Sequence, residues 1–197
     1  MVWGLFHEIG RKIIHITILV VLIIYNFIQN SYGKQLALLF LVALLIIFLV
    51  LEYLRLELGW KMPFFSQFIR PKEQNRMYGV IYFLSATIIS LAVFDYKIAL
   101  AALLMTTFGD MVAALVGKRY GTTLIYRNKT WAGFLAELAT NIVVGFIVLT
   151  NLPGYIYIVL GMALSATIVE TLVDELDDNL LIPIFSGFAG QVILFSL

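Results

Sequence analysis

The sequence contains no cysteine, which excludes disulfide bonds, thiolate metal ligands and a cysteine nucleophile. Charge is scarce as well: charged residues make up 13% of the 197 positions, whereas hydrophobic residues make up 62%. A water-soluble domain of this length does not need so much apolar surface, but a protein with several membrane-spanning helices does. The formal net charge is only +1, and we predict no nucleic-acid partner.

Seven apolar stretches approach or exceed the ~20 residues that a membrane-spanning helix needs. They cover roughly residues 11–29, 34–56, 78–95, 97–117, 131–150, 154–174 and 179–197. The segments between them combine glycine, proline, asparagine and charge, which is typical of turns and helix caps. The sequence therefore predicts an all-α polytopic membrane protein with about seven transmembrane helices, forming a single catalytic domain over residues 1–197.

The distribution of lysine and arginine predicts the orientation. Eleven of the 13 basic residues lie at the N-terminus or in the even-numbered connections, and only Lys34 and Lys97 lie on the other side. The positive-inside rule then makes the N-terminus cytoplasmic. Most acidic residues lie toward the same side, although the rule does not govern acids. We therefore expect an integral membrane protein whose polar site faces the cytoplasm.

An acid interrupts the fourth apolar stretch. Steps of three and four residues place it on one predicted helix face with small or polar neighbours: Thr106, Asp110, Ala114, Gly117 and Gly121. Small residues would let a helix or a ligand approach this face closely. An acid within a span usually faces a cavity, an ion or a partner, so we interpret Asp110 as functional. The alternative is an ion pair that serves packing.

A basic connection, "GKRYGTTLIYRNKTWAG" (117–133), follows directly. Its charge comes from Lys118, Arg119, Arg127 and Lys129. We expect Thr130 to cap the next helix, whose N-terminal amides beside a lysine would suit an anion. The spacing is not that of a Walker loop, and we predict no strand before it. The alternative is an ordinary basic flank of a membrane helix.

The segment "IVETLVDELDDNLLIP" (168–183) holds five carboxylates between Glu170 and Asn179 and no basic residue. Such a cluster repels itself unless cations offset it. The cation is either Mg²⁺, which prefers oxygen ligands, or the basic connections described above. Asp177 and Asp178 could also simply cap a helix, but capping does not account for Glu170, which lies well inside its span.

Two further clusters lie earlier in the chain. In "HEIGRKIIHI", helical steps align Glu8 with Arg11, Lys12 and His15. A single histidine on an apolar face is more often structural than catalytic. In "LEYLR", a helical ion pair accounts for Glu52 and Arg55. Basic connections, carboxylates and intramembrane acids on one side together suit Mg²⁺-assisted phosphoryl transfer to an acceptor that lives in the bilayer.

Four motifs, "RKIIH", "GDMVAALVGKRYG", "NKTWAG" and "DDNLLIP", resemble the CTP-dependent lipid-alcohol kinases in content and order. That family includes dolichol, phytol and farnesol kinases and the yeast-type diacylglycerol kinase. The resemblance spans nearly the whole chain. It implies a polytopic enzyme that uses CTP and a divalent cation such as Mg²⁺ to phosphorylate the hydroxyl of a dolichol-, phytol- or geranylgeraniol-like polyprenol or a related lipid alcohol.

The resemblance also implies roles for individual residues. The implied nucleotide-binding residues are Ala114, Gly117, Lys118, Gly121, Lys129, Thr130 and Gly133. The implied catalytic residues are Asp110, His15, Arg11, Lys12 and Glu170. The implied metal ligands are Asp110, Asp177, Asp178 and Asn179. Glu137 lies where the family tends to be acidic.

Two rival functions remain open. "KTWAG" also resembles the "KTWEG" of phosphatidate cytidylyltransferases, which use CTP to make a CDP-lipid. Ala132 replaces the glutamate of that pattern, and the later Ser-x-x-Lys-Arg and Lys-Asp elements are missing, which favours the kinase. The second rival is a cation- or proton-coupled transporter with functional buried acids, for which we find no supporting internal repeat.

Overall fold

The computed structural model describes residues 19–59, 77–127, 129–173 and 177–197. Three of the predicted catalytic residues, Arg11, Lys12 and His15, lie outside these ranges. Asp174 and Glu175 of the acidic segment do so as well.

Helices dominate the described residues, and their positions follow the apolar stretches of the sequence. The helices are α1 (Leu19–Tyr32), α2 (Lys34–Leu56), α3 (Gly79–Val93), α4 (Tyr96–Tyr120), α5 (Trp131–Leu149), α6 (Tyr155–Leu172) and α7 (Asp178–Ser196). Between α4 and α5, strands β1 (Leu124–Tyr126) and β2 (Lys129–Thr130) form an antiparallel pair.

Five of these helices, α2 and α4 to α7, are long and apolar enough to cross a membrane, whereas α1 and α3 are shorter apolar helices in the part of the chain described. The protein is therefore an all-α integral membrane protein, as predicted. The count of seven spans and the cytoplasmic N-terminus remain predictions.

Side-chain caps fix the start of several helices. Asp95 begins α4 by accepting a hydrogen bond from the backbone amide of Lys97 at 2.9 Å. Thr130 begins α5 by accepting one from the amide of Gly133 at 3.2 Å, which confirms the predicted cap. Asp177 begins α7 in the same way. Each cap satisfies an amide that has no partner within its own helix.

The chain divides into two compact units, Met1–Ile88 and Ile89–Leu197. In the first unit, Glu52 of α2 is buried and binds Arg55 one turn later, as the sequence predicted. In the second unit, α4 is the central helix and packs against α5, α6 and α7. Asp110, Lys129 and Glu170, which are described residues of the candidate site, lie in the second unit.

Small residues bring α4 and α5 unusually close together. A methyl group on Gly117 would lie 3.1 Å from the Thr130 hydroxyl oxygen, and one on Gly133 would lie 3.0 Å from the carbonyl oxygen of Ala113. One turn deeper, a methyl group on Gly109 would overlap the side chain of Asn141. The approach therefore runs along Gly109, Ala113, Gly117 and Gly121. Gly117 and Gly121 belong to the predicted face, whereas its members Asp110 and Ala114 lie one position further around the helix.

Candidate active site

An ion pair between Lys129 and Glu170 stands at the centre of the candidate site. Lys129 lies on β2, directly before the cap of α5, and its ammonium donates to Glu170 Oε1. Glu170 lies two residues before the end of α6 and is only 4% exposed, whereas 38% of the lysine side chain is exposed. One side of the lysine therefore contacts a buried anion while the other remains accessible.

Two further carboxylates act on the charge of Lys129. Burial opposes the charged form, but Glu170, together with Asp110 of α4 and Asp178 of α7, more than offsets this and raises the pKa of Lys129 above its ordinary value. Lys129 therefore stays fully charged at neutral pH. Three helices each contribute one acid around a single ammonium.

The strand pair holds Lys129 and Thr130 in place. Leu124 pairs with Thr130 and Tyr126 with Lys129, and the amide of Trp131 donates to the carbonyl of Thr123 at 3.1 Å. The sequence predicted a basic connection over residues 117–133 without strands. The run "TTLIY" (122–126), with its β-branched and aromatic residues, was the available strand signal.

The N-terminus of α5 was predicted to bind an anion. In its first turn, the amide of Trp131 donates to Thr123 and that of Gly133 donates to the Thr130 hydroxyl. These two amides are therefore engaged within the protein. The positive charge available to an anion here comes chiefly from Lys129 and its basic neighbours.

The predicted nucleotide-binding residues fall into two groups. Gly117, Gly121, Thr130 and Gly133 pack against one another where α4 meets the start of α5. Lys118 is exposed in the last turn of α4, and Ala114 is half-buried one turn earlier. The glycines therefore position the strand pair over α4, while Lys118 and Lys129 carry the charge.

The predicted metal ligands lie at the start of α7, with Asp110 on α4. Asp177 Oδ1 accepts from the backbone amide of Asn179 at 3.0 Å and from its Nδ2 at 2.8 Å, while Asp178 Oδ1 accepts from the same backbone amide at 3.0 Å. Asp177 is thus the N-cap of α7, which is the capping role that the sequence offered as the alternative for Asp177 and Asp178.

The carboxylates near Lys129 are candidate ligands for Mg²⁺, which prefers oxygen ligands. Within the described residues, no three histidine, aspartate or glutamate side chains converge to hold a metal ion. Mg²⁺ is commonly held by one or two carboxylates together with the phosphates of a substrate. Asp110 and Asp178, which both act on Lys129, fit a cation bound together with a nucleotide better than a site formed by protein ligands alone.

Polar residues continue from Glu170 into the core of the second unit. Glu137 of α5 is 1% exposed and lies against the Glu170 carboxyl group. One turn deeper, Asn141 Nδ2 donates to the Thr167 hydroxyl at 3.1 Å. Among the residues described, nothing hydrogen-bonds to Glu137 Oε2 or Asn141 Oδ1.

Glu137 was predicted only through the family resemblance, and Asn141 and Thr167 were not predicted. Their signal was available: Glu137 and Asn141 are four residues apart in one apolar stretch, as are Thr167 and Thr171 in the next. Polar groups at such a spacing share a helix face and favour a partner helix.

Several curated proteins are similar to this chain. CTP-dependent diacylglycerol kinase 1 of Saccharomyces cerevisiae is 28% identical over 163 residues, which cover 77% of this chain and 54% of the relative. A probable chloroplastic phytol kinase of Triticum aestivum is 30% identical over 129 residues, or 57% of this chain and 43% of the relative. Chloroplastic phytol kinase 1 of Arabidopsis thaliana is 27% identical over 138 residues, or 61% and 45%.

These names confirm the resemblance to CTP-dependent lipid-alcohol kinases that the motifs indicated. The chain spans about half the length of the curated relatives that it matches. No protein-family model matches the chain. No solved structure matches it either.

Proposed function

We propose that this protein transfers the γ-phosphate of CTP to the hydroxyl group of a membrane lipid alcohol. The observation that carries the proposal is the Lys129 ammonium, fixed by buried Glu170 and flanked by Asp110 and Asp178. A lysine that is charged and still accessible suits a phosphate group, and neighbouring carboxylates suit the cation that accompanies a nucleotide. The relatives' names support the same reaction class.

The location of these residues also supports this reaction. Lys129 precedes α5, Glu170 lies near the end of α6, and Asp178 begins α7. Helix ends lie near the interface between membrane and water, where a soluble nucleotide and the hydroxyl of a lipid can meet. We propose that this end of the second unit faces the cytoplasm, in agreement with the positive-inside prediction.

The proposed acceptor is a dolichol-, phytol- or geranylgeraniol-like polyprenol or a related lipid alcohol. Large apolar side chains are exposed along the candidate spans, among them Leu135, Ile147, Leu164 and Phe188. Such surfaces contact lipid and allow an acceptor with a long hydrocarbon chain to approach from the bilayer. The two lipids in the relatives' names, diacylglycerol and phytol, both carry a hydroxyl group on a long apolar body.

Each residue then has a proposed role. Lys129, with the basic strand pair around it, neutralises phosphate charge, and Glu170 holds the lysine in position. Asp110 and Asp178 would hold Mg²⁺ together with the phosphates, and this cation would offset the charge of the transferred group. Arg11, Lys12 and His15, outside the described residues, remain predicted contributors to phosphate binding or acceptor binding.

In the proposed reaction, the lipid oxygen forms a bond to the γ-phosphorus as the bond to the β–γ bridging oxygen breaks. The products are a lipid phosphate and CDP, and the hydroxyl proton is released. A cytidylyltransferase would instead join CMP to a lipid phosphate and release pyrophosphate. The released nucleotide or pyrophosphate therefore separates the two reactions.

The test uses purified protein in lipid nanodiscs with γ-labelled CTP, Mg²⁺ and a panel of lipid alcohols. We expect label on a lipid alcohol and a loss of about 100-fold in the Asp110→Asn variant, since that change removes a charge from the site. Asp95→Asn is the matched control, because Asp95 begins the same helix and asparagine caps equally well.

Three outcomes would contradict the proposal. Pyrophosphate release with a lipid phosphate would identify a cytidylyltransferase. An absence of turnover with every alcohol would favour the transporter. Equal activity in Asp110→Asn and Asp95→Asn would remove Asp110 from the reaction.

A further inference from the structure

Glu137 lies at the end of the polar residues that lead away from Lys129, and the proposed reaction gives it no role. Its carboxyl group is buried between α5 and α6 and contacts the carboxyl group of Glu170. The charged groups that act on it are Glu170 of α6, Asp110 of α4 and Lys129 of β2. Two of these three are acids, so the surroundings of Glu137 are predominantly negative.

The cation that acts on Glu137 donates to the other carboxyl group of the pair. The Lys129 ammonium donates to Glu170 Oε1, and it acts on Glu137 only through space. No group among the residues described donates to Glu137 Oε2. An ionised carboxylate buried without donors is strongly disfavoured, whereas a neutral carboxylic acid tolerates an unpartnered oxygen far better.

The contact between the two carboxyl groups leads to the same conclusion. Two carboxylate anions in contact at a buried site repel each other, so one of the pair is disfavoured as an anion, and a proton on it can be shared between the two groups. Glu170 already receives the ammonium of Lys129, which favours its anionic form. The proton therefore belongs on Glu137.

We propose that Glu137 is a neutral hydrogen-bond donor that positions Glu170 and, through it, the Lys129 ammonium. Glu170 is then held on two sides, by Lys129 from β2 and by Glu137 from α5. A neutral Glu137 fixes the carboxylate without adding a negative charge next to a phosphate-binding lysine. It is a positioning residue, because it acts through Glu170, and its catalytic consequence rests on the proposed kinase function.

Infrared difference spectroscopy of the purified protein in nanodiscs tests the proton directly. The spectrum of wild type minus Glu137→Gln should contain the carbonyl-stretch band of a protonated carboxylic acid, and this band should shift in heavy water. The spectrum of wild type minus Glu170→Gln should contain carboxylate bands instead. A carboxylate band lost in Glu137→Gln, or an acid band lost in Glu170→Gln alone, would overturn the assignment.

Activity measurements test the positioning role. Glutamine has the shape of neutral glutamic acid and keeps a donor, so Glu137→Gln should retain activity within about twofold. Glu137→Leu removes the donor and should raise the KM for CTP about tenfold, because Glu170 and Lys129 lose their fixed geometry. Equal loss in both variants would contradict a donor role.

A folding control and the spectra keep the two proposals separable. Thermal unfolding in detergent shows whether Glu137→Leu is folded. If it is not, the infrared difference spectrum of Glu137→Gln decides whether Glu137 carries the proton. If wild type shows no kinase activity, the kinase proposal fails while the infrared bands still test whether Glu137 carries the proton.

Discussion

Glu52 in the first unit and Glu170 in the second are both buried carboxylates near a helix end, with exposures of 3% and 4%. Each is paired with one basic side chain. Arg55 donates to both oxygens of Glu52, at 2.8 and 2.6 Å, and the amide of Tyr78 adds a third hydrogen bond at 3.0 Å. The guanidinium also lies 4.1 Å from the centre of the Tyr78 ring.

Glu170 differs from Glu52 in the exposure of its basic partner and in the charge of its other neighbours. Its lysine is 38% exposed, whereas the Arg55 side chain is 9% exposed. Its other ionisable neighbours, Glu137, Asp110 and Asp178, are all carboxyl groups, and none of them is a cation. A cluster whose donors match its acceptors has no capacity left for a ligand, so the Glu52 cluster stabilises the fold. We call it the closed cluster. The open cluster, formed by Lys129, Glu170 and the acids around them, has excess acid and an accessible cation and is therefore suited to bind a ligand.

The largest effect is expected where the closed cluster is broken. Glu52→Gln removes the charge that Arg55 binds through two hydrogen bonds, and breaking a buried pair from one side should lower the free energy of unfolding on the order of 3 kcal/mol. The measurement is a denaturant series on purified protein in detergent. Kinase activity per folded molecule should be unchanged. A variant with full stability and no activity would reverse the assignment of roles.

The open cluster should respond in the opposite way. Lys129→Gln removes the accessible cation, and we expect kcat/KM for CTP to fall about 100-fold, equivalent to about 2.7 kcal/mol. The stability of the variant should fall less than that of Glu52→Gln, because its lysine is more exposed. Lys97→Gln, which neutralises a lysine at the other end of α4, is the matched control. Equal activity in the two variants would exclude Lys129 from phosphate binding.

Features that depend on neighbours in sequence were predictable. Apolar stretches located α2 to α7 and the end of α1 to within a few residues, because helix length and burial follow local hydrophobicity. The predicted start of α1 lies outside the described residues. The Glu52–Arg55 pair, three residues apart, and the Thr130 cap were likewise predicted correctly. All of these interactions close within one turn of helix, so no knowledge of packing was needed.

Features that depend on packing were not predictable. Lys129 and Glu170 are 41 residues apart, and they meet only because α5 packs against α6. The face of α4 that approaches α5 was predicted correctly at Gly117 and Gly121, but it continues through Gly109 and Ala113 and not through Asp110 and Ala114. Periodicity alone does not show which of two adjacent rows of polar or small residues meets the neighbouring helix. Five carboxylates in one segment made Asp177 and Asp178 the predicted metal ligands, whereas Glu137, in another helix, also lies against Glu170 in the fold.

A smaller effect is expected at the cap that carries the open cluster. Thr130→Val keeps the β-branched shape but removes the hydroxyl that accepts from Gly133, at a cost of about 1 kcal/mol in stability. Activity should fall as well, because Lys129 is the adjacent residue. Thr130→Ser keeps the hydroxyl and should retain the stability and the activity of the wild type. If valine and serine behave alike, the cap does not position the lysine.

Effects no larger than that of the cap are expected from exchanging the two cations, and this exchange gives the sharpest comparison. Arg55→Lys replaces a planar fork with a point charge, so Glu52 loses one of the two hydrogen bonds that Arg55 donates and Tyr78 loses its stacked guanidinium, and stability should fall by about 1 kcal/mol. Lys129→Arg should leave stability nearly unchanged, because a charge still reaches Glu170. It should nevertheless lower affinity for CTP several-fold, since a fork that engages both oxygens of Glu170 leaves less of the cation free for phosphate. Unfolding and KM are measured for both variants. If Arg55→Lys changes activity more than Lys129→Arg does, or Lys129→Arg changes stability more than Arg55→Lys does, the two clusters do not differ in the way their geometry indicates.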